Sequence, residues 1–260
     1  MDLTLSDPLW KRGTSTVGLL VTHVDRRLNV MSAEWSYFVA KDPMMVAVLI
    51  HESNWTAERV AHVDEFTLTF CSQSQAHIAD FCGSFSAHDL DKGSSDALQF
   101  LESDSVSVPW IPGGVMALEC TTHQRVALPH YTMVIGNVVG VHGKQESPPP
   151  LVKHDAMFAL GERVPRSSVV VGTHWPDEGI LIGAVASPEV SSDKPYDVSL
   201  IDEENSLLHQ TSAEANEYGD LEIAIRLPEE VASRVRRVCV SRDGLEPGFA
   251  SVSKQRNRRH

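Results

Sequence analysis

The stretch from Met116 to His142 is MALECTTHQRVALPHYTMVIGNVVGVH, two segments rich in Val, Ile and Thr on either side of Pro129. These residue types favour strands, and a proline is excluded from a central ladder, so two strands joined at Pro129 are predicted. Shorter apolar or alternating runs at Thr14–Val24, Met44–Ile50 and Glu65–Phe70 predict three more strands. The first half of the chain is therefore expected to be mainly β.

Short helical patterns lie between these predicted strands. Asn54 or Thr56 can cap a helix over Ala57–His62, and further helices are predicted at Ser74–Phe81 and Ser95–Leu101. Many strands with few helices argue against a doubly wound parallel sheet. They predict a β-barrel with small helices packed on it.

The proline run Gln145–Pro150 (QESPPP) interrupts this pattern, because successive prolines continue neither a helix nor a central strand. Strand-like segments resume after Pro165, so domains at 1–164 and 165–260 are predicted, the second a β-rich C-terminal extension. The segments that indicate it are Val169–Thr173, Ile180–Val185, Tyr196–Ile201 and Leu221–Leu227.

Composition limits the partners of this chain. Its 260 residues include 22 Lys and Arg against 35 Asp and Glu, a formal net charge of -13. Such a surface repels phosphate backbones and anionic lipid, so neither nucleic acid nor a membrane is an expected partner. The chain also begins without a signal-like segment and contains no apolar run of membrane-spanning length. A soluble cytoplasmic protein with reduced thiols is expected.

Several catalytic classes lack their sequence signatures. There is no dinucleotide-binding G-x-G-x-x-G after a strand, no P-loop and no G-x-S-x-G elbow. The 12 histidines show no H-x-x-x-H pair and no pairing with cysteine at ligand spacing. No metal site is therefore predicted from spacing.

A series of short segments in a fixed order carries the strongest signal. This order resembles the flavin reductase-like family of FMN-binding split barrels. The segments that carry the resemblance are Leu28–Ser36 (LNVMSAEWS), His51–Thr56 (HESNWT), Cys82-Gly83 with Asp91-Lys92, Leu118–Cys120, and Leu128-Pro129-His130 running into Val134–Val138.

The resemblance implies a homodimer with FMN, or alternatively FAD, in a groove near the subunit interface. The flavin phosphate is a dianion, and it would bind at a helix start that offers hydroxyls, an amide and backbone N–H groups. Ser53, Asn54 and Thr56 supply these groups here, although a plain helix cap is the alternative. A loop backbone at Asn29, Val30, Met31 and Ser32 would lie along the isoalloxazine edge, with a plain interstrand turn as the alternative.

Four further side chains have two interpretations each. Trp35 and Phe38 are neighbours of the flavin ring or else core or interface aromatics. Lys92 places a positive charge near the ring or is a solvated lysine, and His130 faces the nicotinamide side or is a strand-edge histidine. Lys92 and His130 are the candidate catalytic residues.

The implied activity is hydride transfer from NAD(P)H to flavin, with the reduced flavin supplied to a monooxygenase partner. Alternatives are a flavoredoxin-like electron carrier, a tailoring enzyme that acts on its own organic substrate, and a flavin-free split-barrel binding protein. The segment Asp64-Glu65 before Phe66 departs from the family pattern, where a glycine often stands. The pocket is expected to be reshaped there.

Overall fold

The computed structural model describes residues 7–24, 27–60, 62–87, 90–162, 164, 168–174, 179–185 and 194–252. The chain divides into two compact units, Met1–Gly161 and Glu162–His260. They are called the N-terminal unit and the C-terminal unit below.

The described residues of the N-terminal unit form ten strands. Seven make one antiparallel sheet in the order β3-β2-β6-β7-β8-β5-β4, and the other three make a small sheet in the order β1-β9-β10. The strands are β1 (Ser15–Thr16), β2 (Gly18–Val24), β3 (Arg27–Ala33), β4 (Ser36–Lys41), β5 (Met44–His51), β6 (Glu65–Phe70), β7 (Met116–Leu128), β8 (Tyr131–His142), β9 (Leu151–His154) and β10 (Ala156–Ala159).

Strand β2 is apolar on both faces because both faces are covered. Leu20 belongs to one buried cluster with Phe66 and Leu68, whereas Leu19 and Val21 belong to a second cluster. A strand buried on both sides needs a continuous apolar run, not an alternating one. This explains why the sequence pattern of β2 is so clear.

Two short helices accompany the sheet, α1 (Trp55–Val60) and α2 (Ala76–Ser84). Both correspond to predicted helices with shifted bounds. The predicted helix at Ser95–Leu101 is wrong. Leu98 is buried there, and Leu101 exchanges backbone hydrogen bonds of 2.9 Å with Trp110, so packing and extended pairing override the local helical pattern.

The prediction of a loop over Asn29–Ser32 is also wrong, because these residues lie inside strand β3. Val30 pairs with Val21 of β2 in an antiparallel register. Val30 is fully buried and its neighbour Ser32 is only partly buried. The segment thus forms the edge of the large sheet.

The C-terminal unit is also mainly β. One sheet has the order β11-β12-β15 and the other the order β14-β13-β16-β17. Ile182, Tyr196 and Val238 belong to its apolar core. Its elements are β11 (Val170–His174), β12 (Ile180–Val185), β13 (Tyr196–Ile201), β14 (Leu207–Ala213), β15 (Leu221–Ile225), α3 (Glu229–Ala232), β16 (Arg237–Ser241) and β17 (Gly248–Ser251).

Strand β14 was not predicted from the sequence, because its residues form no continuous apolar run. None of them is fully buried in the structure. Among the helices of the described residues, none has the length and apolar character needed to cross a membrane.

Candidate functional site

Three adjoining cavities of about 150, 220 and 300 Å³ lie along edge strand β3. Trp55 lines the first and second cavities, and Gly83 lines the second and third. Together they are called the β3 groove. Its lining includes Asn29, Val30, Met31, Ser32, Ser53, Asn54, Trp55, Thr56, Gly83 and Lys92.

This groove therefore brings together eight of the eleven candidate site residues. They come from distant parts of the sequence: from β3, from the turn before α1, and from the segment after α2. Trp35, Phe38 and His130 are the three candidates that do not line it.

The edge position of β3 gives the groove a polar backbone wall. Among the described strands, β3 pairs only with β2. In an antiparallel edge strand, alternate residues direct their N–H and C=O groups away from the paired strand. A planar ligand with alternating donors and acceptors on one edge can bind to such a wall.

Asn29 leaves one buried polar atom without a partner. Its side chain is 3% exposed, and its Nδ2 donates to Thr56 Oγ1 at 2.9 Å and to Thr22 Oγ1 at 3.4 Å. Asn29 Oδ1 has no hydrogen-bond partner among the described residues. Burying an unpaired carbonyl oxygen is costly, so a ligand donor in the groove would remove this penalty.

The predicted phosphate-binding residues surround the start of α1, but the helix itself adds little. It has six residues, too few for a strong dipole at its first turn. Thr56 lies inside the helix and is 4% exposed, whereas Ser53 and Asn54 are exposed in the preceding turn. The groove thus offers side-chain and backbone donors, and the expected positive helix terminus is weak.

Lys92 forms part of the groove wall and is 4% exposed. Its Nζ donates to the carbonyl oxygens of Cys82 at 3.0 Å and Phe85 at 2.9 Å, at the end of α2. Desolvation by burial lowers the pKa of Lys92, although the nearby Cys82 acts in the opposite direction. The alternative interpretation as a solvated lysine is wrong, because this ammonium is enclosed and bonded to the chain after α2. The contact of Lys92 with the flavin stays a prediction.

The Cys82 thiol also lines the groove. Burial raises its pKa to about 11, against a lowering effect of the Lys92 charge. A thiol with so high a pKa stays protonated near neutral pH and is a poor nucleophile. The groove therefore offers binding groups and no activated cysteine at this position.

His130 and Trp35 lie near the turn that follows β5, which begins at Glu52. His130 has a positive φ of 60° between β7 and β8, and its Nδ1 is 2.7 Å from Glu52 Oε1. Its side chain is 72% exposed. Trp35 stacks on Tyr131 with ring centroids 5.2 Å apart. The catalytic role of His130 and the ring contact of Trp35 stay predictions.

One residue that the sequence reasoning did not single out contacts the groove residue Ser53. His51 Nδ1 is 2.8 Å from Ser53 Oγ and accepts the Ser53 backbone N–H at 3.1 Å. The only signal in the sequence is a histidine two residues before the serine. That spacing does not by itself predict contact between His51 and Ser53, because the contact depends on the conformation of the turn that joins them.

A second polar cluster lies at the opposite end of the β7–β8 pair. Ligand atoms of Asp104, Glu119 and His142 lie within 4.8 Å of one another, a grouping that can hold a metal ion and that sequence spacing missed. The fully buried Glu119 carboxylate already accepts the N–H groups of Asp104 and Ser105 and contacts His142 Nε2 at 2.5 Å. These bonds anchor the 104–105 loop to the sheet.

Comparison with known proteins covers the N-terminal unit. Residues 10–161 match the model of the "Flavin reductase like domain". The chain is 27% identical over 126 residues to the uncharacterized protein YddH of Escherichia coli strain K12, spanning 46% of this chain and 67% of that protein.

Solved structures resemble somewhat less than two thirds of the chain. An FMN-binding protein from Thermus thermophilus with bound 1-cyclohex-2-enone has a TM-score of 0.56 at 18% identity, covering 63% of this chain and 96% of its own. The NADH:FAD oxidoreductase SgcE6 of Streptomyces globisporus C-1027, in complex with NAD and FAD fragments, has a TM-score of 0.54 at 16% identity, covering 61% and 98%. The expected mainly β split-barrel fold with short helices is confirmed.

Proposed function

Because the chain belongs to the family of flavin reductase-like domains, we propose that the β3 groove binds FMN and that the protein transfers a hydride from NAD(P)H to it. The observation that carries this proposal is the unpartnered Asn29 Oδ1 in a groove along an edge strand. A purely structural asparagine would have both amide atoms satisfied. A ligand with hydroxyl or N–H donors supplies the missing partner.

The residues of the groove fit the parts of a flavin mononucleotide. Ser53 and Asn54 offer donors to the phosphate, and Asn29 offers an acceptor to a ribityl hydroxyl or a ring N–H. The backbone of β3 is suited to the isoalloxazine edge, where carbonyl and N–H groups alternate. A Cβ at position 83 would lie 3.4 Å from Ser32 Cβ, in ordinary contact, so Gly83 leaves that space in the groove free for a ligand.

The bound flavin would supply the hydride acceptor, and this chain's own residues would position and tune it. Lys92 holds a positive charge in the groove wall, which favours an anionic reduced ring. His130 is proposed as a polar group at the rim, 6.5 Å from the ring of His51.

The nicotinamide has no glycine-rich loop of its own in this sequence and would bind against the open face of the flavin. The SgcE6 structure, which contains NAD and FAD fragments, supports NADH as a donor and FAD as an alternative flavin. Weak nicotinamide binding is expected, with the rate set by positioning of the two rings. A flavin-dependent monooxygenase is the proposed consumer of reduced flavin.

An exposed apolar surface on β4 supports the proposed homodimer. Tyr37, Phe38 and Val39 are 41%, 45% and 50% exposed, and Phe38 stacks on Phe70 at 5.5 Å. An apolar cavity of about 330 Å³ adjoins these side chains. Exposed aromatic side chains are enriched in protein interfaces, so we assign this edge strand to contact with a second copy of the chain.

Visible spectroscopy tests the proposed activity directly. The full-length protein loaded with FMN is mixed anaerobically with NADH or NADPH in a stopped-flow instrument. Bleaching of the bound flavin within seconds is the expected result. Retention of oxidised flavin for minutes would contradict hydride transfer and leave a flavoredoxin-like carrier or a tailoring enzyme. Failure to retain any flavin would leave the flavin-free binding protein.

A further inference from the structure

The hydrogen bonds of His51 determine what Ser53 can offer to a ligand. The Ser53 backbone N–H points at His51 Nδ1 at 3.1 Å, and an N–H group can only donate. His51 Nδ1 therefore carries no proton in this arrangement. Ser53 Oγ, 2.8 Å from the same nitrogen, must then donate its own proton to it.

Both donors of Ser53 are consequently directed at the imidazole. The hydroxyl presents only lone pairs to the groove, and a phosphate dianion is itself only an acceptor. Ser53 lines the groove at the position proposed for the phosphate. In this arrangement it would repel the group that it is expected to bind.

We propose that His51 is a positioning residue for the flavin phosphate: His51 takes up a proton when the phosphate binds and thereby releases the Ser53 hydroxyl proton. This inference rests on the proposed binding of FMN in the β3 groove. One proton moves from solvent to His51 Nδ1, and that N–H then donates to Ser53 Oγ. The Ser53 hydroxyl proton becomes available to the phosphate, and the imidazolium charge adds attraction.

The surroundings of His51 are compatible with this added charge. The Tyr131 ring meets it edge-on at 4.8 Å, and the His130 ring stacks on it at 6.5 Å. The Glu52 carboxylate contacts His130 Nδ1 and so offsets a charge on that second imidazole. The cations of the described groove residues include Lys92, whose Nζ already donates to two carbonyl oxygens, and Arg27 in the adjoining cavity, while Arg59 lies over the Trp55 ring.

The direction in which FMN affinity changes with pH distinguishes proton uptake by His51 from ionisation of the phosphate. Each bound phosphate would draw one proton onto His51, so the FMN dissociation constant should rise as pH increases from 6.5 to 8.5, by up to about tenfold per pH unit. Ionisation of the phosphate itself, near pH 6, acts in the opposite direction because the dianion binds more tightly. Riboflavin lacks the phosphate and should show no such dependence.

The test compares the full-length protein with His51→Asn and with His123→Asn. Asparagine at position 51 keeps an acceptor near the place of Nδ1 but cannot take up a proton. His123 is an exposed histidine of β7 outside the groove and serves as the matched control. FMN and riboflavin titrations are followed by fluorescence, and calorimetry in two buffers of different ionisation enthalpy measures proton uptake.

We expect the wild type and His123→Asn to take up a proton with FMN and to lose affinity as pH rises. We expect His51→Asn to bind FMN more weakly at pH 6.5, with a flat profile and no proton uptake. If His51→Asn binds FMN with the same pH dependence and proton uptake as the wild type, the proposed role of His51 is overturned and the proposed FMN binding is not. Absence of FMN binding in all three proteins at every pH overturns the proposed function and this inference with it.

Discussion

The Asn29 side chain connects edge strand β3 to helix α1 through its hydrogen bond to Thr56. It is nearly fully buried, yet its Oδ1 has no partner among the described residues. The side chain thus has two roles: the Nδ2 side fixes the wall of the groove, and the Oδ1 side is left for a ligand. These roles are separable by substitution.

Asn29→Leu keeps the size of this side chain and removes both polar atoms. Loss of the Thr56 bond is offset by removal of an unsatisfied oxygen, so the free energy of unfolding without ligand should change by less than about 1 kcal/mol. FMN affinity should fall by about 1–2 kcal/mol. Thr22→Val removes the other contact of Asn29 and is the control. Equal FMN affinity in Asn29→Leu and wild type would exclude Asn29 as a ligand contact.

Glu119 is a buried carboxylate that is expected to make the N-terminal unit sensitive to acid. Burial raises the pKa of its carboxyl, but the N–H groups of Asp104 and Ser105 and the His142 contact together outweigh burial and hold the pKa below 4.5. A carboxyl whose pKa is lowered by folding stabilises the fold above its unfolded pKa. That contribution is lost as the pH falls through the folded pKa.

Glu119→Gln should therefore lower the free energy of unfolding at pH 7 by about 1–3 kcal/mol, since an amide cannot accept all three hydrogen bonds. The difference from wild type should shrink as the pH falls through the lowered pKa of the folded Glu119, where the carboxyl becomes protonated. Urea denaturation at a series of pH values measures both effects. Exposed Glu102→Gln is the control. A difference that is constant with pH would contradict the assignment.

At the scale of elements, strand β8 crosses closely over the buried side chains of its neighbours. A Cβ at Gly136 would lie 2.5 Å from Phe66 Cζ, so the strand passes directly over that ring. Gly136→Ala should lower the free energy of unfolding by about 1–3 kcal/mol, because the core must shift to admit the methyl group.

Thermal denaturation of Gly136→Ala measures this cost. Gly183→Ala in β12 is the matched control, since a Cβ at Gly183 meets nothing within 4 Å. Phe66→Leu removes the ring atoms that a Cβ at position 136 would meet. In the Phe66→Leu background, Gly136→Ala should therefore lower the free energy of unfolding by less than it does in the wild type. Full additivity of the two substitutions would show that the Phe66 ring is not the obstacle.

At the scale of the whole molecule, the exposed β4 surface is expected to pair two chains. Light scattering at micromolar concentration should give twice 28.6 kDa for the wild type. Phe38→Asp places a charge among Tyr37 and Val39 and should shift the mass toward the monomer. Leu207→Asp, at an exposed leucine of the C-terminal unit, should leave the mass unchanged. A monomeric wild type would exclude this interface.

The sequence alone determined the strands that are buried on both faces or alternate cleanly. Strands β6, β7 and β8 have the predicted bounds, because local composition and burial agree there. It also determined the family resemblance, and with it most of the residues that line the β3 groove. These signals are local, so no tertiary contact is needed to detect them.

Only the tertiary structure decided how those residues are used. Strand β3 carries one paired edge and one open edge, and no local pattern distinguishes it from the loop predicted at Asn29–Ser32. Burial of Lys92 depends on carbonyl groups at the end of α2, and the contact of His51 with Ser53 depends on the shape of a turn. Hydrogen bonds between side chains are set by three-dimensional geometry, which residue identity and spacing do not specify.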